Sequence, residues 1–150
     1  MIKFTSIFYK LRVLLPNDAL KSLNFALVYP HLLYGIEVYG AASMSKLDKL
    51  IKLNNKILRI LQWKRLDYPV KLLYQNYKTL PIPALHNYQI LVFMFKYVHL
   101  NNCLPPAFTN YLVFNSSIHS HNIRGSNDIH FFTVSGSSGS KTLMFKGSKL

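Results

Sequence analysis

The chain has 150 residues, of which 50% are hydrophobic and 14% aromatic, so it is long enough to bury a core and too apolar for a disordered chain. Lys and Arg number 18 against 5 acidic residues, and the resulting net charge of +13 favours a polyanionic partner, either nucleic acid or anionic lipid. The single cysteine, Cys103, excludes an intrachain disulfide and a cysteine-rich zinc site.

The first predicted element is an amphipathic helix that ends at Pro16. Its apolar residues recur at the spacing i, i+3, i+4 and i+7 of a helix packed on a core. They are Phe4, Ile7, Phe8 and Leu11. Lys10 and Arg12 interrupt the run and exclude a secretory signal, while the basic, acid-free composition leaves a mitochondrial presequence as an alternative. A bare apolar face on this helix would favour a fragment of a longer protein.

A second helix is predicted from about Asp18 to Tyr29, because Asn17 suits the N-cap position and Pro30 breaks or kinks a helix. Four residues form its apolar side, which we expect to be buried. They are Leu20, Leu23, Leu27 and Val28.

The stretch YPHLLYGIEVYG, residues 29–40, places the only glutamate of the chain, Glu37, in apolar surroundings. A membrane span needs roughly 20 mostly apolar residues, and Pro30, Gly35 and the carboxylate argue against one here. An active-site carboxylate and a buried structural segment remain the two other interpretations of this stretch. Because an unpaired buried carboxylate is costly, we expect Glu37 to lie beside a lysine, an arginine or a tyrosine hydroxyl.

The most informative segment is LIKLNNKILRIL, residues 50–61, for which we predict a helix that begins with a capping-box-like pair, Ser45 and Asp48. At about 100° per residue, its apolar side chains gather on one side; they are Leu47, Leu50, Ile51, Ile57, Leu58 and Leu61. The opposite side carries Lys49, Lys52, Lys56 and Arg59. With nothing acidic to interrupt it, this basic stripe suits a phosphate backbone, and a merely solvated face is the alternative.

Trp63, Lys64 and Arg65 follow this helix directly. The two basic residues extend the stripe of candidate phosphate contacts. The indole has two interpretations: it anchors the end of the helix in the core, which we favour, or it stacks on a base.

Two further helices are predicted, a short one over Val70–Tyr77 and a longer one from Ala84 to about Leu100. The longer helix is apolar nearly all round, which predicts that it is central and buried. These helices complete a helical region that we assign to residues 1–114.

The remaining segment, residues 115–150, is polar and rich in predicted loops. Two β-leaning runs, Ile129–Val134 and Thr142–Phe145, flank SGSSGSK, which can form the turn of a hairpin or a flexible loop. The predicted fold class is therefore mainly α, with a small C-terminal β-hairpin or irregular element.

Motifs for catalysis are missing from the sequence. Two-metal phosphoryl transfer needs converging carboxylates, whereas the 5 acidic residues stand singly, and there is no Walker loop, nucleophile elbow or His-Glu-x-x-His. Two candidate sites remain. The first is a metal site formed by His119-Ser120-His121 with His130, where zinc would lack further ligands. The second is Cys103 as a nucleophile, which no neighbouring residue of the sequence orients. We therefore expect no catalytic residue, no metal site, no cofactor and no small-molecule substrate.

Several short stretches, in their order and spacing, resemble the C-terminal part of reverse transcriptases of non-LTR, jockey-like retrotransposons. They are YKLRVLLP (residues 9–16), YPHLLYGIEVYG (29–40), LNNKILRIL (53–61), FMFKYVHLNNCLPPAF (93–108), HSHNIRGSNDIH (119–130) and FKGSKL (145–150). The resemblance covers nearly the whole chain. The sequence departs from the family pattern at two places. His121 replaces the tyrosine of the family's His-x-Tyr-Asn-x-Arg stretch, and Gly147-Ser148-Lys149-Leu150 lacks the proline and the Trp-Asn of the family's ending.

The resemblance implies the helical thumb and the segment beyond it, a region that follows the polymerase palm. The family's catalytic Tyr-x-Asp-Asp turn is not in this sequence. The resemblance therefore implies no polymerase activity for the isolated chain, whose partners would be the palm and fingers of the parent enzyme and a template–product duplex of RNA or DNA.

From charge and resemblance together, we expect binding to the phosphate backbone of a duplex through Lys49, Lys52, Lys56 and Arg59, with Lys64 and Arg65 as extensions. One alternative is a small basic membrane-associated protein that uses its apolar segments and lysines on anionic lipid, although a membrane role is the less favoured. The other is a decayed element product without a selected function.

Overall fold

The computed structural model describes residues 2–100, 104–118, 121, 124–137 and 139–149. Two compact units make up the chain, Met1–Leu85 and His86–Leu150. The described residues are mainly helical, which confirms the predicted fold class. The unit boundary lies at residue 85, whereas the change of composition at residue 114 falls inside the second unit.

In the first unit, a π-helical turn at Asn24–Val28 joins the second and third of six α-helices among the described residues. The α-helices are α1 (Ile2–Leu14), α2 (Asn17–Leu23), α3 (Tyr29–Leu33), α4 (Ile36–Tyr39), α5 (Met44–Leu61) and α6 (Val70–Tyr77). The next helix, α7 (Ile82–His99), begins in the first unit and ends in the second, which also contains α8 (Asn115–Ile118) and α9 (Leu143–Gly147). The predicted bounds of α6 are confirmed, and α7 begins two residues before the predicted Ala84.

The core of the first unit forms where α1, α2 and α6 pack against α5. Phe8 of α1 is fully buried, and Phe4 and Leu11 pack against the same core, so the predicted apolar face of the first helix is covered. Ile7 is the exception, because 44% of its surface is exposed.

The chain remains helical through Pro30, which was expected to break or kink it. Pro30 lies in the first turn of α3, where a missing N–H is tolerated, and the π-helical turn directly precedes that helix. Asn17 is the first residue of α2 and does not cap it, since Pro16 occupies the N-cap position without a side-chain hydrogen bond. Of the predicted apolar face, Leu20 and Val28 are buried and Leu23 is partly buried, whereas Leu27 is exposed.

A polar cluster within this core joins α5 to α6. The Asn54 amide donates to the hydroxyl of Tyr74 over 3.0 Å, and that hydroxyl donates to the Asn55 carbonyl oxygen over 2.7 Å. All three side chains are buried, and burial raises the pKa of Tyr74, an effect that the Asn54 hydrogen bond opposes. Because each partner satisfies another, the cluster fixes one alignment of the two helices.

Tyr77, one turn further along α6, differs from Tyr74 in having no hydrogen-bond partner for its buried hydroxyl among the described residues. Its ring stacks on Phe25 with 6.1 Å between centroids, and burial raises its pKa. The ring therefore contributes packing while the hydroxyl loses its hydration without compensation.

Glu37 does not have the partner that the sequence predicted. The carboxylate is half-buried at the start of α4, and no ion pair or side-chain hydrogen bond to it occurs within the described residues. Burial and the nearby Glu37 raise the pKa of Tyr39, but the Tyr39 hydroxyl donates to the carbonyl oxygen of Leu32. The prediction was wrong because partial exposure leaves solvent available to the carboxylate.

In the second unit, α7 is buried on one side only, which contradicts the prediction of a central helix. Ile90, Met94 and Tyr97 form a cluster with Leu112, whose backbone N–H and C=O both bond to the Tyr97 hydroxyl at 3.1 and 2.8 Å. The other side is 45–58% exposed at Tyr88, Leu91, Phe95 and Val98. The described helices beside α7 in this unit are short, so they cannot cover all of it.

The sequence allowed either a β-hairpin or an irregular element in the C-terminal segment, and the structure has the irregular element. Ile129 makes a single antiparallel bridge with Phe114, and residues 130–134 form no strand. The run that was expected to be a second strand forms α9, because the Thr142 hydroxyl accepts a hydrogen bond from the Phe145 N–H and caps the helix. Gly147 ends α9 against Met94, where an added Cβ would lie 2.4 Å from the sulfur.

Tyr74→Phe and Tyr77→Phe remove the same atom and should have opposite effects on stability. We expect Tyr74→Phe to lower the free energy of unfolding by about 1–3 kcal/mol, since two buried amides lose a partner. We expect Tyr77→Phe to leave it unchanged or to raise it by up to about 1 kcal/mol, since no bond is lost. Urea unfolding of both variants tests this, and equal destabilisation would contradict the difference between the two hydroxyls.

Candidate nucleic-acid interface

Helix α5 separates an apolar face from a basic face as the sequence predicted. On the inner face, Leu47, Ile57, Leu58 and Leu61 are at most 5% exposed. On the outer face, Lys49, Lys52 and Lys56 are all exposed, and we call these three residues the lysine row. Burial of the inner face fixes the rotation of the helix, so the lysine row must face solvent.

Successive members of the lysine row are three and four residues apart, which is close to one helical turn in each case. With a rise of about 1.5 Å per residue, the row extends over roughly 10 Å of helix axis. Three flexible ammonium groups over that distance can contact several neighbouring phosphates of a nucleic-acid strand, which carry no sequence information.

An acidic residue interrupts the row, contrary to the interpretation of the sequence. The Asp48 carboxylate lies 2.7 Å from the Lys52 ammonium group, one turn further along α5. The predicted capping box is absent, because Ser43 is the N-cap residue and Ser45 lies inside the helix. Asp48 is thereby released to pair with Lys52, which lowers the local positive charge.

The environment of Arg59 differs from that of the lysine row. It is half-buried, and its guanidinium donates to the carbonyl oxygen of Tyr68 over 3.4 Å. Its Nε is buried without a hydrogen bond within the described part of the chain. The side chain thus contacts the segment between α5 and α6, and it is less available to a phosphate than the three lysines.

Lys64 and Arg65 are exposed beyond the end of α5. The Lys64 ammonium group lies 4.8 Å from the centre of the Tyr68 ring, and Arg65 Nε lies 3.9 Å from the Asp67 carboxylate. Both side chains of the Arg65–Asp67 pair are more than three-quarters exposed, so the pairing is weak. Lys64 and Arg65 therefore both remain accessible.

The favoured interpretation, that Trp63 anchors the end of α5 in the core, is wrong. It is 53% exposed, and its ring lies 4.3 Å from the guanidinium carbon of Arg12 on α1. That carbon is also 4.1 Å from the ring of Tyr9. Sequence reasoning missed Tyr9 and Arg12, because nothing local to α1 indicates that the end of α5 packs beside them.

Lys46 was also missed, although it carried a signal. It is exposed and precedes Lys49 by three residues, the spacing that links the first two members of the lysine row. A basic stripe counted from the start of the helix would have included it.

The candidate metal and nucleophile sites receive no support. His119, Ser120 and Cys103 lie outside the described residues, as do Asn122 and Leu150 of the family-like stretches. Elsewhere in the chain, the described His, Cys, Asp and Glu residues form no group of three that could hold a metal ion. His130 instead lies 3.0 Å from the Asn115 side chain.

No helix within the described ranges has the length and hydropathy to cross a membrane.

Asp48→Asn should strengthen binding to an immobilised phosphate polymer, because it frees Lys52 and removes a negative charge from the basic face. We expect the variant to elute from phosphocellulose at higher salt than the unmodified chain. Asp18→Asn is the matched control, since it makes the same change of net charge at an exposed position on α2. An equal shift for both variants would show that only net charge matters.

Comparison with known proteins gives no relative for this chain. No protein-family model matches it, and no curated protein or solved structure is significantly similar. A function for the chain therefore rests on its charge, the geometry of α5 and the residues around the end of that helix.

Proposed function

We propose that this chain binds the phosphate backbone of a nucleic-acid duplex and that it corresponds to the thumb and post-thumb region of a non-LTR retrotransposon reverse transcriptase. In this role it holds the template–product duplex and performs no catalysis alone. The polymerase carboxylates would belong to the palm of the parent enzyme, and the palm and fingers would be its protein partners.

One observation carries the proposal: α5 is packed on one side and presents three exposed lysines in a row on the other. A helix that is fixed in this way can lie against a duplex without changing shape, so the backbone that carries the lysines is positioned before binding. Neutralising each phosphate releases condensed counterions, which supplies affinity without reading the base sequence.

The net charge supports the same partner. The chain carries +13 overall, and 5 acidic residues are too few to balance its basic side chains. Such a charge attracts a polyanion over distances comparable with the Debye length, which is about 8 Å at physiological salt. The mainly helical architecture agrees with what the resemblance implies for a thumb.

The predicted residues should contribute unequally to the affinity for phosphates. Lys49 and Lys56 are exposed and have no ion pair within the described part of the chain, so they should contribute most. Lys52 contributes once Asp48 is displaced. Lys64 and Arg65 extend the surface beyond α5, and Arg59 mainly holds the neighbouring backbone.

Removing the lysine row should reduce both the affinity for an RNA–DNA heteroduplex and its dependence on salt. For Lys49/Lys52/Lys56→Ala, we expect the slope of log K against log salt to become shallower by about 2–3, since each lost phosphate contact contributes roughly 0.9. Fluorescence anisotropy of a labelled heteroduplex, titrated at several salt concentrations, measures this slope.

The matched control is Lys71/Lys96/Lys141→Ala, which removes three exposed lysines from α6, α7 and the C-terminal segment. We expect its slope to change by less than about 1, since these residues lie outside the proposed interface. An equal loss for both variants would contradict a specific surface on α5. Binding to anionic vesicles that survives high salt, without heteroduplex binding, would favour the membrane alternative.

A further inference from the structure

Beyond the C-terminal end of α5, Tyr9, Arg12 and Trp63 form a stacked group that we call the aromatic–arginine stack. The guanidinium carbon of Arg12 lies 4.1 Å from the Tyr9 ring centre and 4.3 Å from the Trp63 ring centre. Both distances are within the range of cation–π attraction. The two rings nevertheless remain 57% and 53% exposed, so each keeps a large surface in contact with solvent.

The backbone at Trp63 has a conformation that tryptophan rarely adopts. Its φ is 54°, and α5 ends there in a Schellman motif, with Trp63 N–H bonded to Ile60 O at 3.4 Å and Lys64 N–H to Arg59 O at 2.9 Å. Glycine is the usual residue at this position, because it has no Cβ to disfavour a positive φ. A large exposed ring here is therefore a feature that the backbone geometry alone does not explain.

Arg12 contacts both rings of the stack. It is half-buried, and its Nε is buried with no hydrogen bond among the described residues. Because the guanidinium carbon lies within 4.3 Å of both ring centres, Arg12 restrains both aromatic side chains before any ligand arrives. Such restraint lowers the entropy cost of stacking a further planar group on either ring.

We propose that the aromatic–arginine stack is a binding site for an unpaired nucleobase of single-stranded nucleic acid. The inference rests on the proposed function, because it places the site beyond the C-terminal end of the helix that carries the lysine row, where Lys64 and Arg65 are exposed. A strand leaving the duplex would stack one base on the indole, while these two cations contact the phosphates beside it. Stacking of this kind tolerates any base, since every base has a π-face.

The charge around the rings favours a base over an apolar peptide segment. Arg12 lies against both rings and Lys64 and Arg65 follow Trp63 in the chain, so the site combines aromatic surface with positive charge. A nucleotide offers a planar base and an anionic phosphate together, whereas an apolar side chain would leave the cations without a partner.

Trp63 is the only tryptophan in the chain, so its fluorescence reports directly on this site. The experiment titrates the full chain with a short single-stranded oligonucleotide and with an abasic strand of the same length. Binding is followed independently by anisotropy of a label on each strand. The two strands share their phosphates, and only the first can stack.

We expect both strands to bind and only the base-bearing strand to quench the Trp63 emission. Binding of both strands without quenching, or equal quenching by both, would overturn the stacking site and leave phosphate binding intact. Failure of both strands and of the heteroduplex to bind would overturn the stacking site together with the proposed function.

Trp63→Gly tests the same site by affinity. The change removes the ring and relieves the positive φ, and urea unfolding establishes that the variant is folded. We expect binding of the base-bearing strand to weaken roughly tenfold, the effect of losing one stacked base, with binding of the abasic strand unchanged. Equal weakening for both strands would overturn the inference.

Lys78→Gly is the matched control, since Lys78 has a φ of 52° at the end of α6. It relieves the same backbone conformation without altering the aromatic–arginine stack. We expect this control to affect both strands alike. A selective loss of the base-bearing strand in the control would show that the effect does not come from the ring.

Discussion

The packing of α5 against α1, α2 and α6 is the interaction on which the rest of the first unit depends. Ile57 and Leu58 are almost fully buried in that contact, so α5 cannot rotate about its axis without exposing them. The same constraint decides which residues of the helix face solvent. A hydrophobic contact on one side thereby positions a row of charges on the other.

Polar groups within the core make this arrangement specific. Apolar packing alone tolerates a shift of one helix along another, whereas Asn54 and Asn55 can both bond to Tyr74 in only one alignment. The turn at Trp63 lies outside this polar cluster, where the end of α5 meets Arg12 of α1. The position of Trp63 beside Arg12 is therefore a consequence of how α1 and α5 meet rather than of the local sequence.

The sequence predicted the parts of the fold that depend on local pattern. The bounds of α6 and the two faces of α5 follow from the spacing of apolar residues, and the structure confirms both. Predictions failed where a local preference competed with tertiary contacts. Thr142 caps a helix where a β-leaning run suggested a strand, and Phe95 is exposed on a helix that the sequence predicted to be central. Burial on α7 depends on how many elements surround it, which composition alone does not reveal.

The candidate site was predictable to a similar degree. The lysine row follows from helical periodicity, but the environment of each cation does not. Asp48 pairs with Lys52 because the helix begins one residue before the predicted cap, and Arg59 turns toward Tyr68 because the following segment folds back within reach. Tyr9 and Arg12 are distant in sequence from Trp63, so only the packed structure could bring them into the site.

The proposed function requires above all that the lysine row itself contacts the duplex. Lysine acetylation footprinting, with and without an RNA–DNA heteroduplex and read by mass spectrometry, tests that claim at each residue. We expect Lys49, Lys52 and Lys56 to lose reactivity on binding, whereas Lys71 and Lys96, which are also exposed, should keep theirs. Protection of all five lysines to the same extent, or of Lys71 and Lys96 alone, would contradict that claim.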